Sequence, residues 1–222
     1  MYKIISLIIL IAFPDFALTQ STDSLNNIET NVRGIHTFKY TIHPNLPIYV
    51  FHLIGDSEYN VITHIDISIG DNPTIVQSMD VNMEEQPYRG AVYFQIEDVN
   101  FDGYKDIKLL NWWGVTGNVN FSFWRFDNNN GKFIYDAELS DLTSPIFNPK
   151  TKLITTYETG GMAGMIHTGR KYKYQDNKLL LIEEENQIWI ENEKQFLKTI
   201  RIMKNGAMRD SLKQIIVDDN WK

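Results

Sequence analysis

The chain contains no cysteine in 222 residues, which removes disulfide staples and thiolate metal clusters as sources of stability. Zinc is not supplied by histidine either, because His36, His43, His52, His64 and His167 never fall at the spacing of a zinc-binding helix. No Gly-x-Ser-x-Gly elbow and no phosphate-binding loop occurs. Glu183-Glu-Glu185 does not make a catalytic pair, since neighbours on a strand point to opposite faces, and it reads as a solvated strand end. No enzyme activity is expected. Positive charge is also short: 21 Lys and Arg against 28 Asp and Glu give a net charge of −7. That balance argues against nucleic acid and anionic membranes as partners and suits a basic protein. Long amphipathic helices are missing as well, and the best candidate, residues 140–144, is too short to matter.

The chief apolar run, Ile4 to Phe13, is about half the roughly 20 residues needed to cross a bilayer. It follows the basic start Met1-Tyr-Lys3 and precedes Ala17-Leu-Thr19-Gln20, the layout of a signal peptide over residues 1–19. The expected product is an exported protein, periplasmic or secreted, without a membrane anchor. Residues 20–31 are polar and read as a flexible lead-in, and residues 32–222 as one domain large enough to bury a core without disulfides.

That domain reads as all-β. Ile65-Asp-Ile-Ser-Ile69 and Thr199-Ile-Arg-Ile-Met203 alternate as strands with one wet face, and Phe121-Ser-Phe-Trp-Arg-Phe126 does so with a wobble at Trp124. Turn clusters at Gly70-Asp-Asn-Pro73, Asp127-Asn-Asn-Asn-Gly131, Asn148-Pro-Lys150, Asp176-Asn177 and Asn205-Gly206 cut the chain into hairpins. The pattern predicts roughly a dozen or more strands. Antiparallel hairpins in a propeller-like arrangement fit this series, with a β-barrel or sandwich as the alternative.

Chemistry concentrates in Asp98-Val-Asn-Phe-Asp-Gly-Tyr-Lys-Asp106. Side-chain oxygens at Asp98, Asn100, Asp102 and Asp106, the backbone carbonyl of Tyr104 and the turn-permitting Gly103 have the spacing of a calcium loop. The twelfth position is Leu109 rather than Glu, and strand-like segments flank the loop, so it is no EF-hand. The spacing predicts Ca2+ held with an affinity of roughly 0.1–1 mM, as a structural clip.

Two further segments are candidates for partner binding. Residues 159–169 form a glycine-rich stretch, read as a loop between strands, with Gly160 and Gly161 lending mobility and His167, Thr168 and Arg170 lending donors. In Asn111-Trp-Trp-Gly-Val-Thr-Gly-Asn118, one of Trp112 and Trp113 is expected to face inward and the other outward as an anchor.

The loop 98–106 with its Trp/Gly-rich sequel is similar to calcium loops of FG-GAP and integrin-type propeller repeats. From about Ile75 to Glu185 the chain resembles periplasmic immunity proteins directed at lysozyme-like type IV secretion effectors. The resemblance is carried by Phe126-Asp, Gly131-Lys-Phe133, Glu138-Leu-Ser-Asp-Leu142, Pro145-Ile-Phe-Asn-Pro-Lys-Thr-Lys-Leu-Ile154, Gly160-Gly161 and Tyr174-Gln-Asp-Asn-Lys-Leu179, in that order. It implies an exported, calcium-binding, propeller-like protein that blocks a peptidoglycan hydrolase of the lysozyme-like glycosidase type. The alternative expectation is a calcium-stabilised module binding carbohydrate or cell wall, with Trp112 or Trp113 stacking on sugar.

Overall fold

The computed structural model describes residues 30–32, 35–56, 61–81, 94–175 and 178–216. The expected leader 1–19, nearly all of the lead-in 20–31 and the turn at Asp176-Asn177 lie outside the described residues. Thr30 and Asn31, assigned to the lead-in, open the first strand.

Three antiparallel sheets follow one another along the chain. The first comprises β1 (Thr30–Val32), β2 (Ile35–Thr41), β3 (Ile48–Asp56), β4 (Val61–Ile69) and β5 (Asn72–Asp80). The second comprises β6 (Phe94–Glu97), β7 (Asp106–Trp113), β8 (Val119–Asp127) and β9 (Lys132–Tyr135). A one-turn helix α1 (Ala137–Ser140) leads to the third, made of β10 (Ile146–Asn148), β11 (Leu153–Gly161), β12 (Ile166–Gln175), β13 (Lys178–Ile190), β14 (Gln195–Lys204) and β15 (Ala207–Ile216). Within each sheet every strand pairs with its sequence neighbour, so all three are meanders. No sheet closes into a barrel among the described residues. The molecule is therefore all-β with stacked hairpin sheets, in the manner of a propeller or sandwich.

Turn chemistry sets the hairpins. Asn205 and Gly206 take φ of 51° and 77°, the left-handed pair that a two-residue hairpin demands between β14 and β15. Between β10 and β11, the Asn148 side chain accepts from the Lys150 and Thr151 N–H groups at 3.0 and 3.1 Å.

The second sheet is the middle layer. On one side Ile107, Leu109, Trp124 and Phe126 pack with Phe38, Phe51, Leu53, Ile65 and Ile67 of the first sheet. On the other, Phe123 packs with Phe147 and Ile154 of the third sheet and with Leu139 of α1. Strand β8 thus buries both faces, odd positions toward the third sheet and even positions toward the first, which accounts for the wobble at Trp124. Helix α1 matters despite its length. Its Leu139 is fully buried, and Ser140 Oγ accepts from Phe123 N–H at 3.0 Å where β9 no longer covers β8.

Two side-chain amides join the layers. Gln77 of β5 donates to Phe133 O at 2.7 Å and accepts from Phe133 N–H at 2.9 Å. Asn118 does the same for Thr159 of β11, at 3.0 and 2.8 Å. Each occupies a sheet edge where a neighbouring strand would otherwise pair.

Candidate functional site

The loop 98–106 links β6 to β7 and touches all three sheets. Val99 and Phe101 enter the core shared with the third sheet, and Lys152 Nζ donates to Phe101 O at 3.4 Å. Tyr104 stacks between His43 at 4.5 Å and Phe126 at 5.6 Å, and Lys105 N–H donates at 3.0 Å to the O of Ile42, in the connection between β2 and β3. Phe101 (φ 63°) and Gly103 (φ 94°) supply the reversal.

Within the loop the oxygens converge. Asp102 N–H donates to Asp98 Oδ1 at 3.1 Å and Asn100 Oδ1 at 3.2 Å, Gly103 N–H to Asp98 Oδ2 at 3.0 Å, and Tyr104 N–H to Asp102 Oδ1 at 2.8 Å. Asp106 turns inward instead. It is fully buried, and its two oxygens accept from Val99 N–H at 2.9 Å and Phe126 N–H at 2.8 Å. Burial pushes the Asp106 carboxyl up to about 7 against those two bonds, with the charges of Asp102 and Asp98 adding to the rise. Asp98 is raised too, chiefly by burial and also by the charge of Asp102, against backbone hydrogen bonds from Gly103, Phe101 and Asp102 that pull it down. Among the described residues, no three His, Cys, Asp or Glu side chains gather into a metal-holding group. The side-chain oxygens of Asp98, Asn100 and Asp102 are hard donors of the kind calcium takes, and here they accept the loop's own N–H groups. Beside them opens a cleft of about 450 Å³ whose lining includes Asn100, Asp102, Tyr104, Asp127 and Asn129 together with the cationic Arg125.

The two partner-binding candidates depart from expectation. Residues 159–169 are largely strand rather than loop: Thr159 pairs with His167 and Gly161 with Ile166, leaving only a turn at Met162–Gly164. The predicted donors face partners inside the third sheet. His167 meets Gly164 O at 2.9 Å and Glu185 at 3.2 Å, Thr168 donates to Asn186 at 2.6 Å, and Arg170 donates to Glu184 at 3.0 Å. Gly160 lies so close to Ile166 Cγ2 that a Cβ there would sit 2.8 Å away, so it permits close packing rather than motion. Gly161, at φ 139°, opens the turn itself. The acidic run is no solvated strand end. Glu183, Glu184 and Glu185 lie within β13, bridged to Lys171, Arg170 and Lys198 at 2.7, 3.0 and 2.7 Å.

Trp112 and Trp113 are both exposed, at 44% and 52%. A register shift between Leu110 and Trp112 carries the end of the β7–β8 hairpin past both cores, so neither indole turns inward. Val115 at the tip is wholly exposed. The Asn118–Thr159 clamp sets this tip beside the β11–β12 turn, an association over 41 residues that no local signal announces.

The fold and these sites define an all-β, three-sheet protein with an oxygen-lined loop at its junction and an exposed aromatic tip. No protein-family model matches the chain, and no curated protein matches its sequence. Among solved structures it is similar to a Xanthomonas type IV secretion system related protein, at a TM-score of 0.54 and 16% identity over 84% of this chain and 98% of that one. The likeness shows a shared fold. No helix among the described residues is long and apolar enough to cross a membrane.

Proposed function

We propose that this is an exported, non-catalytic, calcium-binding protein that binds another protein and inhibits a lysozyme-like peptidoglycan hydrolase. The observation that carries the binding is the tip itself: Trp112, Trp113 and Val115 stand exposed at the end of a hairpin that Asn118 ties to Thr159, three residues before the Met162–Gly164 turn. Exposed aromatic clusters of this kind are the usual anchors of protein interfaces. The hydrolase assignment draws on the sequence resemblance and on the secretion-system description of the similar structure. In this reading His167, Thr168 and Arg170 stiffen the frame behind the turn. Asp98, Asn100, Asp102 and the Tyr104 carbonyl hold Ca2+, with Asp106 anchoring the loop from behind.

A second reading has a specific observation in its favour. Trp112 keeps 44% of its surface exposed although the benzene end of its ring lies against Gly114, so the exposed part of the indole is available to a sugar ring. The two separate in one assay series, using purified protein against lysozyme digestion of peptidoglycan and against sedimentation with insoluble peptidoglycan. Inhibition lost in Trp113→Ala supports the first reading. Absence of inhibition together with sedimentation lost in Trp112→Ala replaces it with the second, and absence of both rejects both.

A further inference from the structure

The tip and the turn belong to different sheets, and two residues outside the exposed cluster touch them: Gly114 lies against Trp112, and Asn118 bonds to Thr159. Gly114 follows the tryptophans, with its N–H donating to Asn118 O at 2.8 Å. A Cβ on Gly114 would lie 2.3 Å from Cη2 and 2.9 Å from Cζ2 of Trp112. The backbone at Gly114 is not left-handed, so it is the indole alone that refuses a side chain there. Asn118 engages both the N–H and the C=O of Thr159. Beyond Thr159 the chain enters a turn in which Met162 and Ala163 hold φ of 48° and 52°, a conformation that side chains adopt only when their surroundings enforce it. Gln187 Nε2 enforces it from below by donating to Met165 O at 2.7 Å, and His167 does so through Gly164 O.

We infer that Gly114 and Asn118 are positioning residues of a single two-pronged binding surface. Gly114 sets the direction of the Trp112 indole, and Asn118 sets the separation of the tryptophan tip from the Met162–Gly164 turn. The inference rests on the partner-binding reading above and deepens it. It also specifies the partner's contact chemistry. Neither 111–118 nor 159–169 contains an Asp, Glu, Lys or Arg, in a chain that is 22% charged. The partner therefore meets these prongs with an uncharged patch of apolar pockets and main-chain polar groups. Salt should alter the association rate through the acidic body while leaving dissociation unchanged.

The absence of cysteine makes the test clean. Nitroxide labels on Thr116→Cys and Ala163→Cys report the distance between prongs, and near-ultraviolet circular dichroism reports the Trp112 environment. Asn118→Ala should at least double the width of the distance distribution. Gly114→Ala should leave that width alone and change the indole signal. Each variant should weaken binding to an immobilised c-type lysozyme by at least about tenfold, the scale of a lost interface anchor. If Asn118→Ala does not fold, Asn118→Asp keeps the volume and one of the two bonds and should broaden the distribution by less. An unchanged width in the Asn118 variants, or an unchanged indole signal in Gly114→Ala, overturns the role of that residue. Dissociation that accelerates with salt overturns the uncharged patch. Failure of the parent protein to bind lysozyme counts against the hydrolase reading alone, because the two spectroscopic readouts need no partner.

Discussion

Replacing Asp106 by alanine strips two buried N–H groups, those of Val99 and Phe126, of their only shared acceptor. Each buried donor left without a partner costs about 1–3 kcal/mol, so two cost about 2–6 kcal/mol. A water entering the vacated space recovers part of that, and removing a crowded, desolvated carboxyl recovers more, which leaves a working figure of about 3 kcal/mol. For a domain of this size each kcal/mol shifts Tm by about 2–4 °C, so the expected fall is about 6–12 °C. Thermal unfolding followed by circular dichroism measures it, in calcium and in chelator. The loss should be present in both media, because Asp106 acts on the backbone from inside the loop. A fall of less than about 2 °C, or one confined to calcium, would refute the reasoning and make Asp106 a ligand rather than an anchor.

Asp98→Ala should behave in the opposite way, lowering Tm in millimolar calcium and having little effect in chelator; wild-type protein whose Tm ignores chelator would sink the metal assignment. Glu185 gives a pH signature. Burial raises its carboxyl, but the hydrogen bonds and charges of Lys198 and His167 outweigh burial and hold it below the ordinary value of 4.5. A depressed folded pKa gives stability that is present above the unfolded value and is lost as pH falls through the folded one. Denaturant titrations of wild type and Glu185→Gln should therefore diverge above pH 4.5 and converge in more acid solution, and a constant gap across that range would count against the cluster.

The meanders were readable because their signals are local. Asn205-Gly206 and Gly70 announce hairpins without reference to the rest of the chain, and both occur where expected. Strand β8 was legible as a strand over Phe121–Phe126, but the burial of both its faces was not, because only the layers on either side explain Phe123 beside Trp124. Glycine density made 159–169 look like a loop, yet backbone pairing needs no side chain and continues to Gly161. At Trp112 and Trp113 the alternation rule failed because the register shift after Leu110 leaves no mark in residue type. The acids of the loop were visible from their spacing. That Asp106 alone among them points into the protein depends on Phe126, twenty residues away.

The amides of Gln77 and Asn118 have a consequence for the protein's behaviour in a crowd. Open sheets expose rows of unpaired N–H and C=O groups, which recruit strands from other molecules and seed aggregates. Gln77 caps Phe133 on β9 and Asn118 caps Thr159 on β11, so at each of these positions an incoming strand finds the backbone already satisfied. The outermost strand β15 is guarded differently, by a register irregularity opposite Ile200 and Arg201 and by the charges of Arg209, Asp210 and Lys213. A cysteine-free chain that is almost wholly β has no disulfide to hold its edges in check, and here single side chains limit the backbone left open to a neighbouring molecule.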